Sequence, residues 1–287
     1  QETMPNAIED VAVSVQSMSY QWPDGSPALS GISLELPKGC RSVVVGANGA
    51  GKSCLLRTIG GMYPYEGVIK VLGMDAHVPT RIGTGGSTEI MAGVRVWRFG
   101  DCTIVGERWN PQGDMKVSSL LPYVEGLVPE RCDMMVDRFG IDLDWKVNQL
   151  SDGRKRRVQL LIALAKPSKV LLLDEVTTDL DVLARQTLLE LLREESEERG
   201  VTVLFSTHIF DGLEDWGTHL THIRHGSLHF NGPLSSILGL EELKETGENT
   251  PLYAYVGATV RQDAEEAKKA GWKSTRCAGS IPMLVSN

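Results

Sequence analysis

No apolar run in this 287-residue chain approaches the ~20 residues needed to cross a bilayer; the one through Val170–Leu173 stops at Asp174. A chain without a transmembrane segment is therefore expected. Basic excess is missing too: 29 Lys and Arg stand against 37 Asp and Glu, a formal net charge of −8. Non-specific nucleic-acid binding requires a basic face, so no direct nucleic-acid partner is expected. The five cysteines, Cys40, Cys54, Cys102, Cys132 and Cys277, contain no Cys-x-x-Cys, and neither a disulfide framework nor a zinc ribbon is visible. Reduced thiols in the cytoplasm or nucleus are the expectation. Gln1–Asp10 is polar and resembles neither a signal nor a transit peptide. Hydrophobic residues at 41% and charged residues at 23% are globular averages, which excludes disorder as the main state.

What is present alternates between strands and helices. Val11–Gln16 and Ile32–Leu36 alternate around Pro23-Asp24-Gly25, which predicts two β-segments and a turn. Arg41–Val45 reads as a buried strand, Leu55-Leu56 opens a helix ending near Gly60-Gly61, and Val68–Leu72 reads as a strand. Residues 78–93, rich in Gly and Thr, are expected as an irregular insertion. Helical spacing covers Val117–Arg138, and a helix is predicted from Ser151 to about Lys166. Buried strands follow at Val170–Leu173 and Val201–Phe205, with an amphipathic helix over Leu183–Arg199 between them. Glu194, Glu195, Glu197 and Glu198 are expected on its solvated face. This order predicts a mostly parallel sheet with helices on both faces.

Gly46-Ala47-Asn48-Gly49-Ala50-Gly51-Lys52-Ser53 fits G-x-x-x-x-G-K-[ST] between an apolar strand and a helix. Glycines let the backbone wrap an anion with successive N–H groups, and the helix presents its positive end. Lys52 would reach the β- and γ-phosphates of a nucleotide and Ser53 would ligate Mg2+. Leu171-Leu172-Leu173-Asp174 delivers a second Mg2+ ligand at a strand end, and Glu175 is suited to polarise an attacking water. Consecutive acids also suit an exposed turn; the strand–loop–helix setting favours the phosphate reading.

Three further elements narrow the class: Leu150-Ser151-Asp152-Gly153-Arg154 before a helix, Asp181 after Thr177-Thr178-Asp179-Leu180, and His208 closing Phe205-Ser206-Thr207-His208. Over about residues 11–232 the chain resembles the ATP-binding-cassette (ABC) ATPases, with these as signature, D-loop and switch histidine. The resemblance implies an α/β fold: a P-loop NTPase core with a mostly parallel sheet, an N-terminal antiparallel β subdomain, and a small helical signature subdomain at about 111–166. It implies hydrolysis of MgATP between two cassettes paired head to tail. Lys52, Glu175 and His208 would be catalytic, and Ser53 and Asp174 would hold Mg2+. Ser151 and Gly153 would act on the partner's nucleotide, Asp181 would sit in the D-loop, and Tyr20 would stack on adenine. Ser151 would also cap the signature helix, whose N-terminus faces the partner's γ-phosphate.

The family pattern is broken in three places. Asp152 replaces a signature glycine and places a negative charge near phosphate, to be offset by Arg154 or Arg157. Cys54 replaces a common hydroxyl residue and is expected in helix packing. No Gln occupies the Q-loop, where Glu107 is the nearest equivalent. These features are similar to the small soluble eukaryotic ABC proteins: the plant non-intrinsic subfamily I and the yeast ABC factor associated with the NOT deadenylase and transcription-regulatory complex. That resemblance implies a cytoplasmic or nuclear ATPase, partnered by a second cassette and a larger protein complex, which switches an assembly in gene-expression regulation. The energising subunit of a transporter with a separate membrane protein, or a structural subunit without hydrolysis, are the alternatives. His219, His222, His225 and His229 belong to an expected strand and hairpin, where they would not all face one way. Trp97, Trp109, Trp145 and Trp216 are expected in packing, and residues 241–287 as a C-terminal tail with a helix candidate at Glu265–Lys269.

Overall fold

The computed structural model describes residues 10–76, 87–91, 94–106, 109–111 and 113–269. Strands β1 (Val11–Gln21) and β2 (Pro27–Pro37) pair as a hairpin and lead into β3 (Arg41–Val45), the glycine loop and helix α1 (Lys52–Ile59). Then come β4 (Glu66–Val71), β5 (Met74–Asp75), β6 (Ser87–Met91), β7 (Val94–Phe99) and β8 (Cys102–Val105). Helices α2 (Pro129–Arg138) and α3 (Asp152–Leu164) precede β9 (Val170–Asp174), α4 (Val182–Arg199) and β10 (Thr202–Ser206). The hairpin β11 (His219–Arg224) and β12 (Ser227–Pro233) is followed by α5 (Leu238–Glu245) and α6 (Pro251–Lys269).

The expected architecture is present. An antiparallel sheet runs β2-β1-β4-β5, and a larger one runs β12-β11-β3-β10-β9-β8-β7-β6. Strands β11, β3, β10, β9 and β8 are parallel neighbours, with antiparallel strands at both edges. Every residue of β3, β9 and β10 is buried, which is why they read as apolar runs and not as alternations. Their side chains still divide by face. Val43, Val45, Leu171, Leu173, Val203 and Phe205 pack with residues of α3 and α4. Val44, Leu172 and Leu204 pack with α1 and the antiparallel sheet.

Several expectations change. Within residues 78–93, Ser87–Met91 forms strand β6 against β7; residues 78–86, 92 and 93 lie outside the described ones. Pairing supplies order that the local pattern did not signal. Val117–Arg138 is not one helix: 3-10 turns at Val117–Ser119 and Leu121–Tyr123 precede α2, because Pro122, Gly126 at φ 72° and Pro129 interrupt it. Glu195 is not solvated. Only 5% exposed, it ion-pairs with the buried Arg131 of α2, and Glu194 pairs with Arg138. The helix candidate at Glu265–Lys269 is the end of the longer α6, and Leu240, Leu252 and Val256 sink into the core beside α4. The four described cysteines are buried, and burial pushes the thiols of Cys40 and Cys102 up to about 12.

Candidate active site

The loop between β3 and α1 works only with glycine at its ends. Gly46, Gly49 and Gly51 have φ of 147°, 78° and 112°. A Cβ on Gly46 would overlap the Ile223 carbonyl oxygen, and one on Gly51 would lie 2.8 Å from Leu29 Cδ2. Ala47 is half-buried and Asn48 exposed, whereas Ala50 is buried and accepts at its carbonyl from Gly226 N–H at 2.9 Å. Gly51 stands at the N-cap of α1 with no side chain to occupy that end. Lys52, 7% exposed, folds back and donates from Nζ to the carbonyls of Gly46 at 2.8 Å and Ala47 at 3.3 Å.

Strand β9 brings its carboxylate to the start of α1. Ser53 Oγ donates to Asp174 Oδ1 at 2.9 Å, and Arg57 lies 3.9 Å from Asp174 Oδ2. A hydroxyl and a carboxylate converging at a strand end are hard oxygen donors of the kind Mg2+ takes, with substrate phosphates completing the shell. Among the described residues, no cluster of three or more His, Cys, Asp or Glu side chains converges as a metal site of its own.

Glu175 takes a left-handed backbone (φ 54°), unusual for a side-chain-bearing residue. Its N–H is held by the Ser206 carbonyl at 2.9 Å. Its carboxylate lies 3.1 Å from His208 Nε2 and accepts from Ser206 Oγ at 3.4 Å. Burial raises its pKa above the ordinary 4.5, while His208 and Lys52 pull it back. A desolvated carboxylate beside an imidazole can accept a proton from water near neutral pH. Ser206 lies in the Phe205–His208 stretch without a role assigned to it there, and the structure sets it opposite Asp174 in β10. Gly106 was likewise unsignalled; a Cβ there would press to 2.5 Å from Asp174 Cβ, so it leaves room for the carboxylate.

The signature turn behaves as expected in one respect and not in another. Ser151 caps α3, its Oγ accepting from Arg154 N–H at 3.4 Å, and Gly153 packs beside the Asp179 carbonyl. Asp152 is offset by Lys155 at 3.0 Å, not by Arg154 or Arg157. Arg154 lies over the Trp145 ring at 4.5 Å, and Arg157 is drawn to Asp181. Asp181 caps α4 by accepting from Ala184 N–H at 2.8 Å; that bond and Arg157 hold its carboxyl below the usual range.

Tyr20 does not suit adenine stacking. Its 6% exposed ring stacks on Tyr63 at 4.9 Å with Trp22 against its edge, so no open face remains; burial pushes its hydroxyl up to about 12. Trp22 is the half-buried member of this trio, and its buried Nε1 has no hydrogen-bond partner. Glu107 lies outside the described residues. Cys54 packs in the core as expected. Trp216 and Trp109 are buried, and Trp97 donates to the Gly60 carbonyl. Of the hairpin histidines, His219 meets Thr218 Oγ1, whereas His222 and His225 share Asp263, through its carboxylate and its backbone carbonyl.

A glycine loop on a helix N-terminus, facing the carboxyl ends of a buried parallel sheet, defines a P-loop nucleotide-binding protein. Sequence comparison carries this further: the ABC transporter family matches residues 29–178, and the chain belongs to that family. It is an ABC-type ATPase that binds and hydrolyses ATP. ABC transporter I family member 20 of Arabidopsis thaliana is 38% identical over 261 residues, covering 91% of this chain and 76% of that protein. CCR4-associated factor 16 of Saccharomyces cerevisiae is 39% identical over 228 residues, 77% of this chain and 78% of its own length. In fold, the chain resembles a dimeric ATP-binding cassette solved in a post-hydrolysis state with ADP and Pi. That match has a TM-score of 0.63 and 20% identity, and covers 78% of this chain and 100% of that one.

Proposed function

We propose that this cassette hydrolyses MgATP between two protomers paired head to tail, and that the resulting association and release switch a protein assembly. The observation that carries the reading is the Glu175 carboxylate, desolvated and 3.1 Å from His208, next to an Asp174 already engaged with Ser53. Ser53 and Asp174 would hold Mg2+, which neutralises phosphate charge when bound. Glu175 orients the attacking water and takes its proton, Lys52 exchanges its loop carbonyls for phosphate oxygens, and His208 stabilises the charge that develops. Ser151 and Gly153 act on the partner's nucleotide, with Asp181 beside them, and Trp22 replaces Tyr20 as the ring left to meet the base.

The yeast relative is named a CCR4-associated factor, which supports an assembly concerned with gene expression. Among the described residues no helix is long and apolar enough to cross a membrane. The family's description as ABC transporter favours the second reading, an energising subunit for a separate membrane protein. The test is the full chain with Glu175→Gln under ATP. Hydrolysis equal to wild type overturns the catalytic assignment. Detergent-resistant co-purification with a polytopic membrane protein overturns the switch in favour of the transporter subunit.

A further inference from the structure

The C-terminal helix reaches the nucleotide loop through one hairpin. His222 of β11 is in register with Val45, the residue before the loop, and the Ile223 carbonyl fills the space a side chain on Gly46 would need. At the hairpin turn, Gly226 donates to the Ala50 carbonyl at 2.9 Å and accepts from Ser30 N–H at 2.8 Å. The loop is thus backed by the backbone from Ile223 to Gly226. That turn is under strain, since His225 has φ 49° without being glycine.

What holds it comes from α6. Asp263 is 2% exposed; its carboxylate accepts from His222 Nε2 at 2.7 Å and ion-pairs with Arg224 Nε at 3.3 Å. Its backbone carbonyl accepts from His225 Nε2 at 3.1 Å. One turn further on, Glu266 pairs with Arg224. Burial holds His222 below its ordinary pKa against the opposing pull of the Asp263 carboxylate. A buried carboxylate is retained at such a place only with its partners satisfied, and here His222 and Arg224 flank Ile223, the residue whose carbonyl backs Gly46.

We propose that Asp263 is a positioning residue for the nucleotide site: from the C-terminal helix it fixes the hairpin turn that holds the phosphate-binding loop. The segment beyond the cassette's last strand thereby tunes ATP affinity. The inference rests on ATP binding at that loop. Asp263→Asn keeps the volume and removes the charge shared by Arg224 and His222.

The experiment is titration of the full-length chain with a fluorescent ATP analogue, alongside steady-state hydrolysis and thermal melting. Asp263→Asn should weaken nucleotide binding and raise KM about fivefold to tenfold while kcat stays within about twofold, since the turn touches no reacting atom. Glu266→Gln, at a more exposed partner of Arg224, should weaken binding about twofold. Glu195→Gln, a buried charge loss on α4 beside Arg131, should lower the melting temperature without changing nucleotide affinity. Unchanged affinity in both α6 variants overturns the proposal, as does an equal loss in Glu195→Gln, which would mark a general effect of destabilisation. If Asp263→Asn does not fold, the Glu266→Gln titration decides alone. Failure of the wild-type chain to bind the analogue would instead count against the nucleotide site itself.

Discussion

The ion pair between Arg131 and Glu195 is buried on both sides, so breaking it should have a large effect on stability. Their side chains are 5% and 7% exposed, and Arg131 Nε also donates to the Leu164 carbonyl at the end of the signature helix. One contact set therefore joins α2, α3 and α4, tying the signature subdomain to the helix that follows Asp181. Removing one partner of a buried pair leaves the other charge uncompensated, at a cost of about 3–5 kcal/mol. Glu195→Gln should accordingly lower the melting temperature by about 6–20 °C, taking ~2–4 °C per kcal/mol for a chain of this size. Replacing both by apolar residues removes the two desolvation penalties together, so Arg131→Met with Glu195→Leu should recover most of the loss. Thermal melting of the two single variants and the double variant completes the cycle. A drop below about 2 °C for Glu195→Gln, or a double variant no better than the worse single, would refute the reasoning.

Further outcomes follow from the site. Glu175→Gln should retain ATP and lose about 10²–10⁴-fold in kcat, the range for a positioned general base; a loss under tenfold counts against it. Because burial raises the Glu175 pKa and the ionised form is the base, activity should fall with decreasing pH along a limb lying above 4.5. A kcat–pH profile with its acid limb at or below that value would contradict the desolvation. Lys155→Met should expose Asp152 to the partner's phosphate and shift ATP-bound Glu175→Gln toward monomer in sedimentation. Adding Asp152→Gly should reverse the shift, and equal populations in all three would show that the pair is inert. Trp22→Leu should weaken ATP binding more than Tyr20→Leu, which should act mainly on stability; the opposite ranking by titration would return the base to Tyr20.

How much could be read from the chain alone divides by locality. The P-loop was legible because its function needs successive backbone N–H groups, glycines at its bends and one lysine, all within eight contiguous positions from Gly46 to Ser53. Strands β3, β9 and β10 were legible because burial on both faces gives their centres near-continuous apolar runs. Ser151 was legible as a cap, since a cap acts within three residues of itself; that Asp181 also caps a helix was not read. Glu195 was not: helical periodicity gave it a solvated face, and only the arrival of α2 makes that face an interior. Tyr20 failed similarly, because whether an aromatic is a platform or a core residue depends on Tyr63 covering it. Asp263 carries no local mark at all. Its meaning lies in side chains of β11 and in the turn behind the loop.

The same geometry says what nucleotide binding must cost and where its affinity must come from. Lys52 is not waiting in solvent; it is 7% exposed, and its ammonium already donates to the Gly46 and Ala47 carbonyls. A phosphate oxygen that engages it replaces charge-assisted hydrogen bonds worth about 1.5–3 kcal/mol each. The Ser53 hydroxyl must likewise turn from Asp174. Engagement of these two side chains is therefore an exchange, and the net gain has to come from groups that lose no partner. The helix end at Gly51, which no side chain caps, and the half-buried Trp22 with its unpaired Nε1 are such groups. Both lie on backbone that the β1–β2 hairpin and the β11–β12 turn hold in place, through Leu29 against Gly51 and Gly226 on Ala50. Affinity in this cassette thus depends on how firmly that frame is held at least as much as on the lysine it displays.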